Sequence, residues 1–383
     1  VALCDLAFGD LVVLVGPNGS GKSNIVDALL FVREAITGGL ADAVESRGGE
    51  QIVFQGSSKS SHPAVSVRLD VDGLTGGRSC EYELSFTGGS DNLHLHSEEA
   101  CAVRSRDGDI VARFDSKLRY AEVGALAFPL PAPHEPSSLL AVLSGYEPFS
   151  AARRALTSIS ASSPDADAMR SIGIHQSRAV LWQDAANIAS VLARLQSLDP
   201  ALKERIDEYL RLIVPGIAST VVRRVEDWEV LEFEQEPVKG DRNRSFSAAV
   251  MSDGTLRALG VLTALFPSEI NGASWPVCIE EPETALHPAA AGVLLGAVHD
   301  ASERRQVFVI THSPDLLDGG VAPSELFAVR ATGNGTRVGP LDGAGRVALG
   351  ESGVSAGDLL RTDRLRPAHQ NGDLRWQGAG PTR

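Results

Sequence analysis

Runs of apolar residues without alternation suggest a parallel sheet to which both ends of the chain contribute. Leu11 to Val15 are all apolar, which is typical of a strand buried on both faces. Val307 to Ile310 form a second such run, and helical spacing of apolar residues follows the first one from Ile25 to Val32. These patterns predict an α/β fold that begins near the first residue and is completed late in the chain.

The middle of the chain has two other patterns. Between residues 64 and 115, short alternating runs broken by Gly and Asp predict an antiparallel meander. A Pro-rich linker at 128–138 is followed by helical stretches that include 186–198 and 200–214. The predicted units are an α/β domain at 1–57 and 215–344, an inserted β-meander plus helical lobe at 58–214, and a loosely ordered tail at 345–383.

Composition limits the class of protein. With 383 residues, 43% of them apolar, the chain can form two or three compact units. A net charge of −14 excludes an all-over nucleic-acid-binding surface. The four cysteines lack metal-ligand spacing, and Cys278 lies in an apolar run as a core residue would. Since no apolar run reaches transmembrane length and no signal peptide pattern opens the sequence, we expect a cytoplasmic protein without membrane insertion.

The first strand leads into "GPNGSGKS", which fits the pattern G-x-x-x-x-G-K-S. Its glycines allow the backbone to bend around a phosphate, and the following amides can donate to that anion at the positive end of a helix. Lys22 is expected to contact the β- and γ-phosphates of ATP, and Ser23 to offer its hydroxyl to Mg²⁺. The predicted nucleotide-binding residues here are Gly16, Pro17, Asn18, Gly19, Ser20, Gly21, Lys22, Ser23 and Asn24. A ligand-free Gly-rich turn is the alternative, which the strand–loop–helix context disfavours.

Two adjacent carboxylates, Glu280 and Glu281, follow an apolar strand in "PVCIEEPE". At the end of a strand both side chains can reach the same pocket. Glu280 is predicted to hold Mg²⁺, because hard cations prefer oxygen ligands. Glu281 is predicted to be the catalytic base that deprotonates the attacking water. An acidic strand end that faces water is the alternative.

His312 ends the late strand in "THS" and is predicted, with Lys22 and Glu281, to be catalytic. Open α/β sheets place their ligand sites at the carboxyl ends of strands, where a histidine can hydrogen-bond a γ-phosphate. A lone histidine at a strand end is more often structural. The position of His312, one strand and one helix after the carboxylate pair, favours the functional interpretation.

Ser252 and Gly254, in "MSDGTL", precede a helix-spaced apolar run from Leu256 to Leu265. The start of such a helix can bind an anion, and Ser252 or Asp253 can also simply cap it. A single ATP pocket does not need two anion sites at helix starts. The second one is therefore predicted to serve a neighbouring subunit.

The motifs "GPNGSGKS", "MSDGTL", "CIEEPE" and "THS", in this order, resemble those of the ATP-binding cassette (ABC) ATPases. Within them the chain is similar to the SMC/RecF branch, and to compact RecF-like AAA-type ATPases related to the OLD family. The likeness covers residues 1 to about 330. It implies a P-loop NTPase fold of the ABC/SMC-head type. It also implies that the protein hydrolyses ATP with Mg²⁺.

The resemblance also implies a homodimer in which two chains sandwich two ATP molecules. Ser252 and Gly254 of one chain would then contact the γ-phosphate held by Lys22 of the other. The segment "PETALHP" would line the dimer interface, which places Glu283 and His287 near the shared site.

The resemblance also bears on four further positions. Arg47 matches in position an arginine that SMC-like proteins direct toward nucleotide or DNA, and a solvated loop charge is the alternative. Glu280 stands where many relatives have Asp, so its carboxylate is one methylene further from the backbone. Gln55 and Gln176 are the candidates for a glutamine loop.

These features predict an ATPase that acts in DNA repair or in defence against phages and mobile elements, with a protein effector such as a nuclease or toxin. The carboxylates after residue 330 lie among glycines without a strand framework, so we expect no nuclease within this chain. Short basic clusters at 153–154, 223–224 and 242–244 predict weak DNA contact that depends on ATP or a partner. The alternatives are an ABC transporter ATPase, with Phe8 stacked on adenine, and a slow ATP-gated scaffold for an effector.

Overall fold

A computed structural model of the protein describes residues 6–49, 64–87, 96–130, 138–177, 180–235, 244–267, 276–333, 335–350 and 353–368. Its strands are β1 (Leu11–Val15), β2 (Ala64–Leu74), β3 (Arg78–Thr87), β4 (His96–Arg104), β5 (Ile110–Asp115), β6 (Tyr120–Val123), β7 (Leu126–Pro129), β8 (Ser160–Ser162), β9 (Gly173–Ile174), β10 (Ile217–Val225), β11 (Trp228–Gln235), β12 (Ser245–Ser247), β13 (Val277–Glu280), β14 (Val307–Thr311), β15 (Leu326–Thr332) and β16 (Gly335–Pro340). Its helices are α1 (Lys22–Thr37), α2 (Leu40–Glu45), α3 (Leu139–Leu143), α4 (Glu147–Thr157), α5 (Ala166–Met169), α6 (Ile188–Leu198), α7 (Pro200–Ile213), α8 (Asp253–Leu265), α9 (Ala291–Ser302), α10 (Pro314–Leu317), α11 (Gly343–Gly350) and α12 (Ala356–Arg361). Among these described helices, none combines the length and apolar character needed to cross a membrane.

The main sheet has the strand order β16-β15-β1-β14-β13-β8. β1 pairs in parallel with β14 and β15, and β14 pairs in parallel with β13. The hairpin partner β16 runs antiparallel to β15. The carboxyl ends of β1, β14 and β13 therefore meet at one edge of the sheet, where open α/β sheets bind their ligands.

Both faces of the main sheet are covered, as the unbroken apolar runs predict. Along β1, Val13 and Val15 belong to a core cluster that contains residues of α8 and α9. Val12 and Leu14 point to the opposite face, where they join a cluster with residues of α1. Successive strand side chains alternate between faces, so a strand covered on both sides must be apolar throughout. The predicted α/β fold is confirmed.

The predicted antiparallel meander is also confirmed. β2 to β7 form a separate sheet in which each strand pairs with the next one along the chain. On β3, buried and half-buried residues alternate, and the buried ones face a cluster that includes α1, α2 and α4. Phe86 stacks on Phe31 of α1 with ring centroids 5.4 Å apart. The meander thereby packs against the helix that follows β1.

The structure differs from the predicted domain boundaries at two points. β8 lies inside the predicted insertion, yet it pairs in parallel with β13 and forms the edge of the main sheet. β10, β11 and β12 lie inside the predicted α/β domain, yet they form a sheet of their own with β9. Ile217 of β10 and Phe233 of β11 share a core cluster with residues of α6 and α7. Short strands such as β8 carry too few residues for a periodic pattern to show which sheet they join.

The predicted loosely ordered tail is wrong for residues 345–350 and 353–368. α11 and α12 lie there, and α12 begins with a capping box at Ser355. Leu359 and Leu365 are buried, and Arg361 forms ion pairs of 3.0 Å with Asp315 and 2.9 Å with Asp318. Two apolar anchors and these pairs with the α10 region order a segment whose Gly-rich composition suggested little structure. Residues 369–383 lie outside the described part.

Candidate functional site

The phosphate loop, residues 16–23, has a backbone that requires its glycines. Gly19 and Gly21 have φ values of 74° and 95°, a region that favours glycine. A Cβ on Gly16 would lie 2.2 Å from the carbonyl oxygen of Val329, and one on Gly21 would lie 2.3 Å from Oγ1 of Thr336. The loop therefore fits closely between α1 and the β15–β16 hairpin.

Gly16→Ala is expected to lower both stability and nucleotide affinity. The new methyl group would displace the backbone of Val329, since a rigid carbonyl cannot move away as a flexible side chain can. Overpacking of this kind costs about 1–3 kcal/mol. Thermal unfolding and titration with an ATP analogue measure the two effects. Gly292→Ala in α9 is the control, because its Cβ would meet nothing within 4 Å, and unchanged behaviour of Gly16→Ala would contradict the close fit.

Lys22 is buried within the phosphate loop. Its residue is 7% exposed, and Nζ donates to the carbonyl oxygens of Gly16 at 2.8 Å and Pro17 at 3.0 Å. Burial lowers the pKa of Lys22, whereas the carboxylates of Glu281 and Glu280 act to raise it. The phosphate loop and the carboxylate pair are thus within electrostatic reach of each other.

The polar groups of the loop fit a phosphate ligand. Oγ of Ser20 is buried and has no hydrogen-bond partner among the described residues. A buried polar atom without a partner is costly, and it indicates a ligand that supplies one. Ser23 and Asn24 are exposed at the start of α1, whose first amides have no partner within the helix.

The carboxylate pair lies at the end of β13. Glu280 is the last residue of the strand, and the amide of Glu281 donates to the carbonyl oxygen of Ile310 in β14 at 2.7 Å. Oε1 of Glu281 lies 2.8 Å from Nδ1 of His312. The structure therefore brings together the predicted base and the predicted histidine, which are distant in sequence.

The backbone of Glu281 is strained. Its φ of 45° lies in the left-handed region that residues other than glycine rarely adopt. Such a conformation costs about 1–3 kcal/mol and persists only where surrounding contacts impose it. Strain of this kind concentrates at functional sites, which supports the assignment of Glu281 to one.

Residues 251–254, which we call the signature turn, lie at the start of α8. Oγ of Ser252 accepts from the amide of Thr255 at 3.3 Å, so Ser252 caps the helix as the simpler interpretation predicts. Gly254 is needed for a close approach, because its Cβ would lie 2.3 Å from the carbonyl oxygen of Ala285. The turn thus lies against the segment that follows Glu281. A contact of Ser252 or Gly254 with the nucleotide of a second chain stays a prediction.

Arg170 is a residue that sequence patterns did not reveal. Its guanidinium donates to the carbonyl oxygen of Met251 at 3.0 Å and forms ion pairs with Asp253 and Asp167, the latter at 2.6 Å. It therefore joins α5 to the signature turn. An isolated arginine 83 positions before its partner carries no local signal of this role.

Arg47 is bound to α1. It forms ion pairs of 2.8 Å with Asp27 and 2.5 Å with Glu34, and its guanidinium carbon lies 5.4 Å from the ring centroid of Phe31. Its side chain is 15% exposed, which does not fit a solvated loop charge. The predicted contact with nucleotide or DNA is not visible in these ion pairs and stays a prediction.

Other sequence candidates lie elsewhere. Phe8 packs edge-on against Phe308 at 5.2 Å and Phe327 at 5.1 Å, within the core beneath the main sheet. Gln176 accepts from Nδ2 of Asn187 at 3.2 Å in the helical lobe. Gln55 lies outside the described residues.

The donor set suits Mg²⁺ rather than a metal held entirely by protein. No group of three or more His, Cys, Asp or Glu side chains in the described part of the chain could hold a metal ion. Mg²⁺ typically takes one or two protein oxygens and completes its shell with substrate phosphates and water. The hydroxyl of Ser23 and the carboxylate of Glu280 are oxygen donors of this kind.

A parallel sheet that carries the phosphate loop after β1, paired glutamates after β13 and a histidine after β14 defines a P-loop NTPase of the ABC/SMC-head type. Comparison with known families agrees. The chain belongs to the family described as "AAA domain, putative AbiEii toxin, Type IV TA system", whose profile matches residues 11–99 and 125–318. This match confirms the AAA-type part of the predicted resemblance, and the likeness to the SMC/RecF branch stays a prediction.

Similarity to individual known proteins covers different shares of this chain. The chromosome partition protein Smc of Mycobacterium tuberculosis is 40% identical over 81 residues, which are 20% of this chain and only 6% of that protein. A crystal structure of an Smc head bound to the C-winged helix domain of ScpA matches 87% of this chain and 91% of that one, at 15% identity and a TM-score of 0.48. The SMC head domain from Thermotoga maritima matches 88% of this chain and 92% of that one, at 16% identity and a TM-score of 0.40.

Proposed function

We propose that the protein binds ATP with Mg²⁺ and hydrolyses it. The observation that carries this proposal is the site itself: a buried Lys22 after β1 and, after β13 of the same parallel sheet, Glu281, whose carboxylate lies 2.8 Å from His312. At one sheet edge, an ammonium can bind phosphate oxygens, a carboxylate can accept a proton from water, and an imidazole can donate a hydrogen bond to a phosphate.

Each residue has a distinct task in this proposal. Amides of the phosphate loop and Nζ of Lys22 bind the phosphates and compensate the negative charge of the transition state. Oxygens of Ser23 and Glu280 hold Mg²⁺, which would neutralise charge on the β- and γ-phosphates. His312 donates a hydrogen bond toward the γ-phosphate.

Glu281 orients the attacking water and takes its proton as the water oxygen bonds to the γ-phosphorus. The bond between that phosphorus and the bridging oxygen breaks, and ADP leaves with the oxygen. A positioned general base typically contributes about 10²–10⁴-fold in rate. The strained backbone of Glu281 and its contact with His312 hold the carboxylate in one place, which reduces the entropy lost when water is oriented.

We further propose that two chains share each ATP site. Ser252 is exposed at the start of α8, a helix of 13 residues, so its first amides and positive dipole end are accessible to a phosphate held by another chain. Its neighbour Gly254 lies against Ala285, two residues after Glu283. The signature turn and the segment that follows Glu281 would thus lie on the same surface of the protein.

The proposed pathway is DNA repair or defence against phages and mobile elements, with a protein effector. The description of the matching family as a putative toxin of a Type IV TA system supports the defence part. Direct DNA contact is expected to be weak, since two arginines of the basic clusters are paired with acids: Arg154 with Glu147 at 3.1 Å and Arg223 with Glu232 at 2.6 Å.

Of the alternatives, the transporter subunit loses one supporting feature. Phe8 packs edge-on against two phenylalanines of the sheet, which explains an aromatic residue at this position without any contact with adenine. The slow ATP-gated scaffold differs from the main proposal only in its rate of turnover.

The purified protein is expected to release phosphate from ATP in a Mg²⁺-dependent reaction. Because two chains complete each site, the rate per chain should rise with protein concentration until the dimer saturates, and then stay constant. Phosphate release measured over a protein dilution series, alongside light scattering with and without ATP, tests both parts. Chelation of Mg²⁺ is the control. Full turnover by a monomer at every concentration would refute the shared site, and absence of any hydrolysis would refute the enzymatic proposal.

A further inference from the structure

The short segment from Glu281 to Ala285 is held against the end of β14. Both of its end residues have positive φ values, 45° for Glu281 and 67° for Ala285. Neither is glycine, so contacts with the rest of the fold must impose this shape. One such contact is the hydrogen bond that the amide of Glu281 donates to the carbonyl oxygen of Ile310, at 2.7 Å.

Glu283 makes the central contact of this segment. Its Oε1 accepts a hydrogen bond from Oγ1 of Thr311 at 2.5 Å. Thr311 is fully buried, and its Oγ1 also accepts from the amide of Ser313 at 2.9 Å. The hydroxyl therefore has one donor and one acceptor partner, which fixes its orientation.

His312 lies in sequence between Thr311, which carries this hydroxyl, and Ser313, whose amide donates to it. Thr311 precedes it, Ser313 follows it, and its own Nδ1 is 2.8 Å from Oε1 of Glu281. A change at Thr311 or Glu283 would thus move the histidine and the carboxylate relative to each other. Nothing in this arrangement requires either residue to touch the nucleotide.

The environment of Glu283 is suited to a hydrogen-bonding rather than a charged role. Oε2 of Glu283 is buried without a partner among the described residues. Burial raises the pKa of Glu283, while the bond from Thr311 acts to lower it. A neutral side chain of the same shape can therefore replace it.

We propose that the Glu283–Thr311 hydrogen bond is a positioning device that sets His312 against Glu281 for catalysis. This inference rests on the proposed ATP hydrolysis. Both residues act through Glu281 and His312, so their loss lowers kcat more than ATP affinity, because the phosphate loop, which binds the phosphates, is not involved.

Four single variants and one double variant test the device. Glu283→Ala and Thr311→Val are each expected to lower kcat about tenfold to a hundredfold, as small misplacements of catalytic groups do. Glu283→Gln and Thr311→Ser keep the acceptor and the hydroxyl, and should retain most of the wild-type kcat. In the double variant Glu283→Ala with Thr311→Val, kcat should fall no further than in the worse single variant, because both remove the same bond.

Thr263→Val is the matched control. Its Oγ1 donates to the carbonyl oxygen of Leu259 at 2.7 Å inside α8, so the substitution removes a buried hydroxyl away from His312. In protein without nucleotide, the ¹⁵N resonances of the His312 ring should shift in Thr311→Val and Glu283→Ala and remain in place in Thr263→Val. Thermal unfolding identifies variants that fail to fold.

Several results would overturn the inference. Wild-type kcat in both Glu283→Ala and Thr311→Val would do so, as would a Thr311→Ser variant as impaired as Thr311→Val, or equal losses in kcat and ATP affinity. If the device fails in these ways while Glu281→Gln still stops hydrolysis, the proposed function stands. If the wild-type protein does not hydrolyse ATP, the proposed function itself fails.

Discussion

Lys22→Ala is expected to abolish ATP binding at concentrations that saturate the wild-type protein. The ammonium lies inside the phosphate loop, 2.8 Å from the carbonyl oxygen of Gly16. Hydrogen bonds to charged groups contribute about 1.5–3 kcal/mol each, and each 1.4 kcal/mol is tenfold in affinity. With more than one phosphate oxygen in reach of Nζ, the loss should be about a hundredfold or more. Equilibrium titration with a fluorescent ATP analogue in the presence of Mg²⁺ measures it.

Lys117→Ala is the control for this variant. Lys117 lies in the turn between β5 and β6, its side chain is 66% exposed, and its Nζ is 3.5 Å from a carboxylate oxygen of Glu98. Exposed pairs of this kind contribute about 0–1 kcal/mol, so ATP affinity and stability should hardly change. Wild-type affinity in Lys22→Ala would show that nucleotide binds elsewhere, and the assignment of the phosphate loop would be wrong.

Glu281→Gln should bind ATP as tightly as the wild type and hydrolyse it about 10²–10⁴-fold more slowly. The amide keeps the shape of the carboxylate but cannot accept a proton from water. Because each bound ATP is proposed to be shared by two chains and the variant does not consume it, the variant should accumulate as an ATP-bound dimer. Single-turnover phosphate release and light scattering with ATP measure the two consequences.

Glu303→Gln is the control, because it makes the same chemical change at an exposed position at the end of α9. It should leave binding, turnover and oligomeric state unchanged. Hydrolysis by Glu281→Gln at the wild-type rate would remove Glu281 as the base. A slow variant that stays monomeric with ATP would instead contradict the shared site alone.

Motifs that are continuous in sequence could be predicted with their residues. The phosphate loop needs eight consecutive positions between a strand and a helix, and the structure has that context, with β1 before the loop and α1 starting at Lys22. The apolar run of β1 required burial on both faces, which the structure shows. Local spacing is enough in such cases, because the chemistry is performed by neighbouring peptide groups.

Predictions that depended on how segments join were less complete. β8 has three residues, too few for a pattern, and its place beside β13 comes from pairing with a strand more than a hundred positions later. Helices α11 and α12 are short and contain several glycines, and what orders them includes ion pairs of Arg361 with acids of the α10 region. The composition of the tail could not indicate these partners, because they lie in another segment of the chain.

The sequence by itself thus determined the α/β class, the phosphate loop, and the identity of Glu280, Glu281 and His312 as candidate groups. Only the tertiary structure decided that Glu281 lies beside His312, that Glu283 accepts from Thr311, and that Gly254 packs on Ala285. The physical reason is that spacing along a chain is encoded by covalent geometry, whereas contacts between distant residues depend on strand order and packing. The contacts of Glu281 with His312 and of Glu283 with Thr311 arise because β13 and β14 pair as neighbours and end at the same edge of the sheet.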